Sequence, residues 1–157
     1  MRTIVLGIGN PLLTDDGVGI EVARRVRARL AGRADVVVEE ACAGGLAVAE
    51  RLVGYDRAVL VDAVEPETKP GTVRVLRPEH KTKGSWNTVG AHDASLPVSL
   101  KFLQELGERI PEQVVIVGIE AHDLCSFAER LSPAVERAVP EAVARVVELV
   151  GAGGGAP

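Results

Sequence analysis

Three stretches of this chain hold ionisable side chains in places where chemistry would explain them. The opening loop, Gly7-Ile8-Gly9-Asn10-Pro11-Leu12-Leu13-Thr14-Asp15-Asp16-Gly17-Val18-Gly19, carries two adjacent aspartates. Asp62 stands near the end of an apolar run, Val59-Leu60-Val61-Asp62-Ala63-Val64. A carboxylate there is expensive unless it is paired or metal-bound. His92 lies in Val89-Gly90-Ala91-His92-Asp93-Ala94-Ser95. Two carboxylates brought together need a shared proton or a cation. Two carboxylates and one imidazole suit a divalent transition ion such as zinc, nickel, manganese or iron, with open positions for substrate or water. His122, in Ala121-His122-Asp123, repeats the local pattern of His92 and is read as a rival ligand or a rim residue. His80 sits among charged residues and reads as solvated. One of Asp15 and Asp16 is expected to cap a helix, leaving the other free.

Other chemistries fit less well. A dinucleotide-binding loop wants a third glycine where Leu12 stands, and a pyrophosphate would meet two carboxylates at the helix N-terminus. Cys42, in Glu39-Glu40-Ala41-Cys42-Ala43-Gly44-Gly45, has no evident base, so it reads as a small core or loop residue and not a nucleophile. Ser95 and Ser126 lack the glycines of a nucleophile elbow. The lone Trp86 is a loop anchor or a partner contact.

Hydropathy alternates between strand-length apolar runs and helical patterns, as in an α/β sheet. Strands are predicted at 3–6, 35–39, 58–64, 72–76 and 114–120, and helices at 18–30, 45–53, 96–106 and 133–150. In the second helix Leu46, Ala49, Leu52 and Val53 are expected to face inward. Pro140 should kink the last helix. Only 65–71 separates the third and fourth strands, too short for a parallel crossover, so the fourth should run antiparallel to the third. Right-handed crossovers then put strand two beside one, one beside three and the antiparallel strand on an edge. The expected architecture is a three-layer αβα sandwich around a five-stranded, mostly parallel sheet. Loops leaving the carboxyl ends of strands one and three flank a crevice suited to a ligand. Residues 1–150 read as one domain and 151–157 as a flexible tail, with 77–90 a long polar loop.

Composition agrees with a soluble globule. The 157 residues are 46% hydrophobic and 25% charged, with 22 acidic against 18 basic side chains and a net charge of −4. An acidic chain with 3% aromatic residues offers little to nucleic acid. No run reaches membrane-spanning length and no leader pattern opens the chain, so a cytoplasmic protein is expected. The two cysteines suit that reducing compartment. A monomer is the default expectation.

The opening loop, Val61-Asp62-Ala63, Ala91-His92-Asp93, Val117-Gly118-Ile119-Glu120 and Leu131-Ser132-Pro133 together resemble the hydrogenase maturation proteases over roughly residues 1–150. The resemblance implies an endopeptidase that removes a short C-terminal extension from the nickel-loaded large subunit of [NiFe] hydrogenase, so that the subunit can close over its metal centre. It also implies that Asp16, Asp62 and His92 bind a metal and carry catalysis. The nickel would be supplied by the substrate, with zinc or another divalent ion as an alternative occupant. Many members carry Asp-Gly-Gly-Thr after the second strand. Here Glu40-Ala41-Cys42-Ala43-Gly44-Gly45 stands in that place, which bears on which client is recognised. Gly7–Pro11 also looks like the opening of peptidyl-tRNA hydrolase, but that family's histidine is missing, since no histidine precedes His80. A third reading is a non-cleaving, chaperone-like module that docks a metalloenzyme precursor.

Overall fold

The structure is a computed structural model and describes residues 1–77 and 95–152. Five strands form one sheet: β1 (Thr3–Ile8), β2 (Val36–Ala41), β3 (Arg57–Val64), β4 (Val73–Leu76) and β5 (Gln113–Glu120). Their order is β2-β1-β3-β5-β4. The β1–β2, β1–β3 and β3–β5 pairs are parallel, and β4 runs antiparallel to β5. The short 65–71 connection therefore reverses the chain as expected. The fourth strand lies not against β3 but one place further out, because β5 takes the inner position.

Helices cover both faces. On one, α1 (Val18–Arg29) and α4 (Pro133–Ala152) pack on each other and on Val5, Val59, Val61 and Val117. On the other, α2 (Gly45–Arg51) and α3 (Leu96–Glu105) cover Ile4, Leu6, Leu60 and Ile116. Both sheet faces are apolar, which is why β1 and β3 read as unbroken hydrophobic runs and are buried along their whole lengths. The architecture is the αβα sandwich expected from the sequence.

One local expectation is corrected, at Leu46. The inward stripe of α2 is Gly45, Val48, Ala49 and Leu52, while Leu46 is 39% exposed. Ala49 and Leu52 are buried as predicted and Val53 packs against the same cluster, so Leu46 alone departs from the predicted stripe. Helix α4 runs unbroken past Pro140 to Ala152. Pro140 and Glu136 are both exposed, so water can reach the carbonyl that Pro140 leaves without a donor. Of the predicted tail, 151 and 152 are helical, and 153–157 lie outside the described residues.

The approach of α1 to the sheet sets up the site. A Cβ on Gly19 would stand 2.3 Å from the Ile8 carbonyl oxygen and 2.4 Å from that of Val61. Only glycine lets the first turn of α1 sit this close above the carboxyl ends of β1 and β3. Gly9 has φ +147°, and a Cβ there would lie 1.8 Å from the Asp16 carbonyl oxygen. The opening motif thus spends its glycines on folding the 10–16 loop back over the strand ends.

Candidate active site

Between β1 and α1 the chain forms a one-turn 3₁₀ helix, Thr14–Gly17, that carries both aspartates. Neither is the helix cap expected from the sequence, since no side chain caps this turn or α1. Instead the two neighbours point into different environments.

Asp15 is fully buried. Its Oδ2 accepts hydrogen bonds from the backbone N–H groups of His122 and Asp123, each at 2.9 Å, and from the Ser132 hydroxyl at 2.8 Å. Its Oδ1 accepts the Ser132 N–H at 2.7 Å. Four donors satisfy the carboxylate and bind the 121–132 loop to the 3₁₀ turn. Thr14 supports the same junction. It holds φ +50°, an uncommon conformation for a β-branched residue, while its hydroxyl donates to the Ser126 carbonyl at 2.6 Å.

Asp16 is half-buried and lines a cleft of about 610 Å³ together with Asn10, Leu13, Cys42, Gly44 and Glu50. Its Oδ2 accepts the Asn10 N–H at 2.8 Å. Burial raises its pKa above the ordinary carboxylate value, and the Asn10 hydrogen bond offsets part of that rise. A smaller cavity of about 260 Å³ is lined by Thr14, Gly17, Glu21, Arg24, Glu129, Arg130 and others, and Asp62 lines neither cavity.

Asp62 sits in β3 two residues after Leu60, on the sheet face covered by α2 and α3. It is 2% exposed, and its Oδ1 is buried with no hydrogen-bond partner among the described residues. Burial pushes its pKa well above the usual range, the charge of Asp16 pushes it further, and the Ala63 N–H offsets part of the rise. The fold therefore brings together two aspartates 46 positions apart, 16 and 62, closely enough for one to disfavour ionisation of the other. This is an arrangement that a proton or a cation would relieve.

The third predicted ligand, His92, lies outside the described residues, as do His80 and Trp86. Among the described residues no group of three His, Cys, Asp or Glu side chains is gathered for a metal. The two carboxylates nevertheless fit a divalent cation, because among the described residues one offers a buried oxygen without a partner and no cationic side chain lowers the pKa of either. His122 is exposed and meets Asp15 through its backbone N–H. That makes it a rim residue. Cys42 is an exposed loop residue on the cleft wall. Glu39 and Glu40 pair with Arg51 and with Arg24 and Arg27, away from the chemistry.

One buried carboxylate was not singled out by the sequence reading. Glu120 is fully buried and accepts the N–H groups of Thr68 and Lys69, with Arg74 at 3.8 Å. It closes the 65–71 loop over the end of β5. A charged residue ending an apolar strand was the available signal, the same one that marked Asp62.

Comparison with known proteins decides the family. The sequence model described as hydrogenase maturation protease matches residues 20–149. The chain belongs to the hydrogenase maturation protease family. It is similar to the hydrogenase 2 maturation protease of Escherichia coli, 28% identical over 148 residues, covering 94% of this chain and 89% of the relative. It also resembles the hydrogenase expression/formation protein HoxM of Cupriavidus necator, 27% identical over 158 residues, covering 98% and 76%. The solved hydrogenase maturating endopeptidase HybD of Escherichia coli superposes with a TM-score of 0.76 at 26% identity, covering 98% of this chain and 94% of that one. Named maturation proteases and endopeptidases stand among its relatives and structural neighbours, and this chain is an enzyme of that kind. Among the described residues no helix is long and apolar enough to cross a membrane.

Proposed function

We propose that this hydrogenase maturation protease removes a C-terminal extension from the nickel-loaded large subunit of a [NiFe] hydrogenase in the cytoplasm. In this reading the substrate's nickel is read and used at Asp16, Asp62 and His92. The observation that carries it is that the Asp62 Oδ1, buried beside Asp16, has no hydrogen-bond partner among the described residues. An isolated fold gains nothing from a buried carboxylate whose ionisation a neighbouring aspartate opposes. A protein that must accept a cation along with its substrate does.

The chain's own residues divide the work as follows. Asp62, fixed by β3, presents its orphaned oxygen as a ligand. Asp16 is held through one oxygen by the Asn10 N–H and borders the cleft, so it is placed to take a proton from an attacking water. His92 supplies the neutral imidazole. A divalent ion held there supplies Lewis acidity toward the scissile carbonyl or toward a water. Zinc is the alternative occupant when nickel is absent. The Cys42–Gly44 wall faces the entering chain, and its departure from the common Asp-Gly-Gly-Thr pattern bears on which precursor is accepted.

The test is the mass of a nickel-loaded precursor large subunit before and after mixing with this chain. Loss of a C-terminal fragment is expected. Unchanged mass with stable co-elution of the two proteins would replace the protease by a non-cleaving chaperone-like module.

A further inference from the structure

The cleft at Asp16 is the size of a small-molecule pocket, so it takes only a short length of peptide. A protease acting on one protein must draw the rest of its recognition from outside such a cleft. The rim beside it has an unusual composition. Phe127 is 86% exposed and Leu12 is 49% exposed. They stand on two loops locked edge to edge. The Ala128 N–H donates to the Leu12 carbonyl at 3.0 Å and the Thr14 N–H to the Ala128 carbonyl at 3.0 Å, with Leu13 and Ala128 bridged in parallel.

The same loop is fixed from two further directions. Asp15 grips it at His122, Asp123 and Ser132. Asp123 folds its tip by accepting the N–H groups of Cys125 and Ser126, each at 2.9 Å. Those bonds and the Ser126 hydroxyl hold the Asp123 pKa down to about 2. An exposed phenylalanine on so constrained a backbone loses little freedom when it is covered, and covering it removes a large apolar area from water. Leu13, between Leu12 and the 3₁₀ turn, also lines the cleft, so the apolar rim is continuous with the place where the chain to be cut must lie.

We propose that Leu12 and Phe127 form a docking ledge for the folded body of the protein substrate, meeting an apolar patch on the precursor next to the segment that enters the cleft. The inference rests on the proteolytic reading above. The ledge binds substrate and does not touch the reacting bond, so it acts on capture and not on turnover.

The experiment is steady-state processing of the nickel-loaded precursor by wild type, Phe127→Ser, Leu12→Ser and Phe102→Ser. Phe102 is 48% exposed on α3, whose chain runs away from the cleft toward the start of β5, and serves as the control. For Phe127→Ser KM should rise about tenfold with kcat within about twofold. Leu12→Ser should shift KM in the same direction by less, Phe127→Leu should recover part of the loss, and Phe102→Ser should leave KM unchanged. Thermal melting of each variant separates docking from misfolding, since the exposed Phe127 side chain should leave Tm unaltered. A wild-type KM in Phe127→Ser, or an equal shift in Phe102→Ser, would overturn the ledge. Failure of the wild type to shorten the precursor would instead overturn the proteolytic reading.

Discussion

Two sets of buried carboxylates meet the same rim of the sheet in opposite states. Asp15 has four hydrogen-bond donors, and Glu120 has two N–H donors with an arginine near it. Asp16 and Asp62 have one backbone donor each, Asp62 keeps one buried oxygen without a partner among the described residues, and the charge of Asp16 raises the cost of ionising Asp62. The first set is complete within the chain. It fastens loops, and nothing further has to arrive. The second set is incomplete, and its deficit has the sign and size of a cation. Adjacent residues in one motif can therefore divide into scaffold and chemistry, and what separates them is whether the fold itself satisfies the oxygen atoms.

The largest effect that would sharpen this contrast is on cleavage. Asp62→Asn and Asp16→Asn should each lower processing of the precursor by at least about a hundredfold while the fold persists, as expected when a ligand or base is lost. Rates measured by the appearance of the shortened subunit check this. Asp15→Ala should act on stability instead, costing about 2–3 kcal/mol because it strands several buried donors at once. Denaturant unfolding measures that loss.

A smaller effect concerns pH. Both pair members have folded pKa values above their unfolded ones. Between the two values the folded state binds more protons than the unfolded state, so stability of the metal-free protein falls as pH rises from near 4 toward neutrality. Asp62→Asn should flatten that decline and leave the variant more stable than wild type at pH 7. Chemical denaturation across pH 4 to 8 reads both. Adding Ni²⁺ or Zn²⁺ should raise the Tm of wild type and leave that of Asp62→Asn little changed, by the mass action of a ligand that binds only the folded site.

Much of this was legible in the sequence. Chain reversal at 65–71 and right-handed crossovers fixed the neighbours of β1, and the cost of Asp62 in an apolar strand marked it without any structure. Other features depended on contacts that no local pattern carries. Asp15 and Asp16 look alike in sequence, and what distinguishes them is donors from residues 122, 123 and 132 on one side and Asn10 on the other. An N-cap was the local expectation because those distant amides were invisible. In the second helix Ala49, Leu52 and Val53 meet the core as the spacing implies, while Leu46, at the start of a helix of seven residues, lines the cleft instead. Pro140 lies inside α4 where the sequence puts it, on the exposed side, and the helix continues past it.

Single-turnover cleavage of precursor by saturating Asp62→Asn or Asp15→Asn enzyme, each at a temperature where it is folded, separates the two sets most directly. Asp62→Asn should be inactive although more stable than wild type, and Asp15→Asn should cut within about tenfold of wild type although less stable. Cleavage by Asp62→Asn at the wild-type rate, or activity that simply follows stability across the two variants, would contradict the division between them.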